Sequence, residues 1–232
     1  MKRAAFAVAI LAALALLASG PGTRFGWFRF TIGLRLYALT VPLAAIALLL
    51  ALIVAFREKR MTPLTTIATG VAAVLLIVTV FHINRAFHTA PIHDITTDPA
   101  DPPAFVAAVA LRGPHTNPLA YGGSSVADWQ RRTYPDIAPL ILMRVSPTAA
   151  FARATNVATS LGWNITASVP AEGRLEATST TSWFGFTDDV VVRIRPMGSG
   201  SRVDVRSCSR VGRGDAGENA KRVRTFLRMM QS

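Results

Sequence analysis

The sequence predicts a membrane-anchored α+β protein: three apolar N-terminal helices, then an antiparallel sheet with two helices on one face. Two long uncharged runs, Leu36–Phe56 and Met61–Ile83, each exceed the ~20 apolar residues a membrane helix needs. Beyond Leu140, short apolar–polar alternations separated by turn residues read as strands, and two stretches with helical spacing interrupt or follow them. Charge is split the same way. Residues 1–90 hold nine basic residues and one acid, Glu58, a net of +8, whereas residues 91–232 hold sixteen basic and twelve acidic residues, a net of +4. The whole chain is 51% hydrophobic and 16% charged, against about 25% charged in an ordinary soluble domain.

The membrane region is expected over 1–89, with helices at about 4–19, 36–56 and 61–83. The first run is short and follows Lys2 and Arg3, so a cleaved signal peptide is the alternative; two closely following spans favour an uncleaved helix. Arg57, Glu58, Lys59 and Arg60 form the turn of a helical hairpin. Lys2, Arg3, Arg57, Lys59 and Arg60 fall on one side, and Arg24, Arg29, Arg35 and Arg85 on the other. This bias places the N-terminus in the cytoplasm and the large domain outside it. The loop Thr23–Arg35 alternates aromatics with arginines and is expected at the lipid headgroups.

Residues 90–139 are rich in proline and glycine and are expected to be an extended segment packed on the domain, because Ile92, Ile95, Phe105, Val106 and Val109 are too apolar for a free linker. The α+β domain is placed at 140–232, in the order β-α-β-β-β-β-α. Leu140–Val145 opens it. Ser146 caps a helix with Pro147 at its first position, and Gly162 ends that helix. Strands follow at Trp163–Val169, Arg174–Thr180, Val190–Arg195 and Arg202–Cys208. Asp215 and Glu218 then suggest a capping box for the last helix. Alternation sends Ile165, Ala167, Val169, Leu175, Ala177, Val190, Val192, Ile194, Val203 and Val205 toward the helices. By analogy the order is that of a helix-grip or TATA-binding-protein-like unit.

The opposite face would carry Glu176, Arg193, Arg195, Arg202, Asp204 and Arg206, and its surplus guanidiniums suggest a docking surface for an acidic partner or anionic headgroups. Arg210 and Arg213 flank a glycine-rich turn before the last helix. An anion could sit there, or Asp215 could cap the helix while the arginines pair with Asp188 and Asp189. Asp188, Asp189 and His93 form the alternative acid/base set of a membrane-anchored hydrolase or other enzyme. No nucleophile elbow, P-loop, dinucleotide-binding loop or HExxH occurs, so neither a cofactor nor a metal is expected. The single cysteine, Cys208, excludes an intrachain disulfide. A domain of only +4 outside the cytoplasm speaks against nucleic acid as partner.

Four strings in order, PIHDITTDP (Pro91–Pro99), YPDIAPL (Tyr134–Leu140), WFGFTDDVVVRIRP (Trp183–Pro196) and VDVRSCSRVGRGDAGENAKRVRTFL (Val203–Leu227), resemble the domain of unknown function family 1499 over residues 91–232. The three-helix start is similar to that of many bacterial members. The resemblance implies placement in a bacterial inner membrane, and it implies no catalytic residues. Cys208 departs from the small residue expected there. The chain thus reads as a multi-pass membrane protein whose exported domain is a binding or scaffold module at the cell envelope, with the lipid bilayer and an envelope protein or anionic headgroups as partners.

Overall fold

The computed structural model describes all residues from Met1 to Ser232. They form two units, Met1–Arg85 with Thr181–Gly185, and Ala86–Thr180 with Phe186–Ser232.

The first unit holds α1 (Lys2–Arg24), α2 (Phe30–Glu58) and α3 (Pro63–Phe87), each long and apolar enough to cross a membrane. Small residues let them approach: Ala5, Ala9, Ala12, Ala44, Ala47, Ala51, Ala68 and Ala72 are all buried. Lys2 Nζ meets Glu58 Oε2 at 2.6 Å, so the start of α1 and the end of α2 lie at one end. The interfacial loop expected over Thr23–Arg35 shrinks to Phe25–Arg29. Gly33 lets the start of α2 pack closely on the end of α1; a Cβ there would lie 2.0 Å from Thr23 Oγ1 and 2.6 Å from the Ser19 carbonyl. At the other end, Lys59 turns the chain with φ 51°, and Thr65 Oγ1 accepts from the Thr62 amide at 2.8 Å to start α3.

The second unit is an α+β domain: β1 (Asp94–Thr96), α4 (Ala107–Leu111), α5 (Gly123–Thr133), β2 (Leu140–Leu142), α6 (Pro147–Ser160), β3 (Asn164–Val169), β4 (Arg174–Thr180), β5 (Thr187–Met197), β6 (Gly200–Ser209) and α7 (Glu218–Gln231). The antiparallel sheet runs β1-β6-β5-β4-β3, and β2 pairs the other end of β6 beyond β1. The order expected from Leu140 onward is present. Ser146 Oγ accepts from the Ala149 amide at 3.2 Å and caps α6, and Gly162 follows it with φ 71°. β2 is shorter than expected, since Arg144 takes a left-handed conformation at φ 58°. Gly200 lets β2 lie against β6: a Cβ there would meet the Leu142 carbonyl oxygen at 2.1 Å.

α6 and α7 cover one sheet face. Leu175, Ala177, Val190, Val192, Ile194, Val203 and Val205 join Phe151, Ala154, Val223 and Phe226 in one core, with Trp163 stacked on Phe226 at 5.2 Å. The predicted alternation holds on β4, β5 and β6 and fails on β3. A bulge at Thr166 shifts the pairing from Ile165–Ala177 to Ala167–Glu176, which turns Ala167 and Val169 away from the helices. α7 starts at Glu218, and Asp215 is the capping side chain, accepting from the Gly217 and Asn219 amides at 2.9 and 2.6 Å.

The segment before Leu140 is more regular than its composition suggests. β1 adds a strand. α5 is helical despite a polar sequence, and its buried stripe is only Ala127 and Gln130, with Val126 packed beside them. Gln130 is 1% exposed; its Nε2 donates to the Thr96 carbonyl at 2.6 Å and its Oε1 accepts from the Thr96 amide at 2.9 Å. The side-chain amide thereby occupies the outer edge of β1.

Candidate functional site: a covered charged face and a cleft at its edge

The polar face of the sheet is not an open surface. Residues Asp98 to Leu119 cross it as a strap, and Phe105, Ala108 and Leu119 pack with Val191 and Cys208 beneath. Three carboxylates meet three guanidiniums at one end. Asp204 is fully buried and accepts from Arg193 and Arg195 at 3.1 Å each and from Arg202 at 3.0 Å. From the strap, Asp98 takes Arg202 at 2.5 Å and Asp101 takes Arg195 at 2.8 Å. The two arginines hold the Asp101 carboxyl below the usual range, the Arg195 hydrogen bond contributing most. The surplus positive charge expected of Arg193 and Arg195 is therefore neutralised by acids lying far earlier in the chain.

Arg206 is 3% exposed and paired with Asp94 at 2.9 and 2.6 Å. Its remaining donors reach the carbonyls of Pro103 and Leu119, and the guanidinium stacks on Phe105 and Tyr121. A guanidinium so enclosed is a strut, not a docking group. Glu176, also buried, accepts from the amides of Val106, Ala107 and Ala108 at 3.0 Å each and pairs with Arg174. Burial pushes the Cys208 thiol up to about 12, so it stays protonated and inert.

The acid/base set does not converge. Asp188 and Asp189 are consecutive on β5 and point to opposite faces. Asp188 is tied to Arg222 of α7 at 2.7 Å. Asp189 is held on the strap side by Arg112 at 2.7 Å and Arg210 at 2.8 Å. Arg210 thus forms the ion pair that the sequence offered as an alternative to an anion site, and Asp215 fills the start of α7. Burial raises the Asp215 pKa despite its backbone hydrogen bonds.

Of the sequence-predicted residues, His93 and Arg213 come together. They line a cleft of about 290 Å³ between the start of β1 and the loop before α5. Pro91, Ile92, Pro118 and Val126 form its apolar walls; its one acid, Asp94, is neutralised by Arg206, and Asn117 is fixed there by donating to the Ser209 and Gly212 carbonyls at 3.1 and 2.8 Å. Arg213 is exposed and, unlike the other four candidate arginines, has no carboxylate partner. It stands between Gly212, at φ 91°, and Gly214, whose missing Cβ would lie 3.3 Å from the Pro91 Cα. These glycines bring the arginine loop against the cleft.

Sequence reasoning missed Asp94, Asp98, Asp101, Asn117 and Gln130. The three acids were legible as charge: all lie within eight residues of a proline-rich stretch, opposite arginines of one strand parity. Asn117 and Gln130 carried no such signal.

The fold defines a class: an α+β domain with a strapped antiparallel sheet, following three helices fit to cross a membrane. Within it, the chain belongs to the family described as "Protein of unknown function (DUF1499)", whose family model matches residues 94–230, more than half of the chain. A comparison with curated proteins found no match.

Proposed function

We propose that the protein is a membrane-anchored binding module of the bacterial cell envelope, with its α+β domain outside the cytoplasm and a second envelope protein as partner. The cleft beside β1 carries the reading. It is the place where an unpaired guanidinium, an imidazole and an apolar wall face the same space. The other charged groups named as site residues are spent on ion pairs, Asp188 with Arg222 of α7 and the rest on the strap side of the sheet, which leaves no acid/base pair to run a reaction. A mixed apolar and cationic cleft suits an acidic segment with an apolar flank.

The test is site-specific photocrosslinking in native membranes. A photoreactive residue at Ala120, on the cleft, is expected to give a discrete adduct, and one at Asn156, exposed on α6, is not. Arg213→Glu should abolish the Ala120 adduct. No adduct at Ala120, or the same adduct at both positions, overturns the reading. Alkaline phosphatase fused after Ser232 should be active and at Glu58 inactive; the reverse overturns the orientation.

A further inference from the structure

At the end of the helical unit where α1 starts and α2 finishes, the two helices leave a groove of about 400 Å³ lined by Met1, Lys2, Arg3, Val54, Arg57 and Glu58. We infer that this groove is a binding site for the headgroup of an anionic phospholipid. Its volume lies within the roughly 300–1,000 Å³ of small-molecule sites. Its charge is one-sided. Lys59 and Arg60 stand beside it, and its single acid, Glu58, is already neutralised by Lys2 at 2.6 Å. Arg3 and Arg57 are exposed and have no carboxylate; the Arg57 contact is to the Met1 sulfur at 3.7 Å.

The groove sits at the polar end of helices fit to span a bilayer, so the ligand present there at high local concentration is a lipid. A basic pocket between helix ends at headgroup depth selects anionic over zwitterionic lipids. A guanidinium pair supplies the bidentate hydrogen bonds that a phosphodiester accepts. This site is independent of the cleft in the other unit.

The test uses the full chain in nanodiscs of phosphatidylcholine with and without phosphatidylglycerol, read by native mass spectrometry of retained lipid. One phosphatidylglycerol should be retained in preference to phosphatidylcholine. Arg3→Gln with Arg57→Gln should weaken retention about a hundred-fold, through the loss of two charge-assisted hydrogen-bonding groups on the phosphate. Lys59→Asn with Arg60→Gln removes the same charge outside the groove and should change retention less than about three-fold, since diffuse attraction is screened. Equal losses in the two double variants would make this a diffuse basic collar and overturn the site. Equal retention of both lipids by the parent, or displacement by inorganic phosphate, would overturn it as well.

Discussion

Replacing Gln130 by Leu tests whether one side chain completes the sheet edge. The substitution keeps size and burial and removes both hydrogen bonds to Thr96, leaving that residue's amide and carbonyl without partners in a fully buried site. A buried group left unsatisfied costs about 1–3 kcal/mol, so two of them make the expected loss about 2–6 kcal/mol. Against a typical stability of about 5–15 kcal/mol this is a large fraction. Gln130→Glu adds a pH signature. Its carboxylate accepts from the Thr96 amide but has no proton for the carbonyl, so the variant is weakest at neutral pH and recovers partly in acid, where the carboxyl becomes a donor. The assay is urea denaturation of the full chain in detergent, with hydrogen exchange across Asp94–Thr97. A Gln130→Leu protein within about 0.5 kcal/mol of the parent, the usual range of surface changes, and with unaltered exchange in β1 would refute the reasoning.

Arg206→Leu should cost about 3–5 kcal/mol by stranding the Asp94 carboxylate in the interior, and adding Asp94→Leu should recover much of that loss in a double-mutant cycle. Phe151→Asp should unfold the domain, since it puts an unpaired carboxylate into the core, whereas Pro147→Ala should shift the melting temperature only slightly. Cys208 should resist iodoacetamide in the folded protein and react in urea. Stability should fall in acid. The carboxyls of Asp136, held low chiefly by the Arg224 hydrogen bond, and Asp101 stabilise the fold above their unfolded value of 3.8, and lose that contribution as pH drops through their lower folded values. Asp215 works the other way, its raised pKa favouring the fold below 3.8 and losing that contribution as pH rises through the folded value; acid unfolding of Asp215→Asn should therefore be steeper than that of the parent.

The strands and helices after Leu140 were legible because each carries its own punctuation. Ser146–Pro147, Gly162, Gly173 and the Gly198–Ser199 turn are local devices, and alternation within β4–β6 needs no knowledge of partners. What failed was information held between distant segments. The bulge at Thr166 is a property of the β3–β4 pair, and parity counted along one strand passes straight over it. Arg193, Arg195 and Arg206 meet acids about a hundred positions away, so strand parity alone showed their shared face and not the carboxylates of the strap and β1 that pair with them. α5 was hidden by its composition, since a helix that buries alanine and one glutamine has almost no apolar periodicity to read. Of the site, His93 and Arg213 were visible as residue types; that one cleft holds both follows from the return of β6 beside the segment before β1.

The position of β6 also bears on how the domain is made. It is the last strand to leave the ribosome, yet it lies inside the sheet, pairing β5 on one side and both β1 and β2 on the other. Asp94 waits through 112 positions for Arg206. Until then β3, β4 and β5 can form a meander, while β1, β2 and the strap have nothing to dock on and stay unpaired. Such long-range closure is slow and leaves bare strand edges open to association. A product truncated before Gly200 would therefore be a client for chaperones and proteases rather than a smaller working domain.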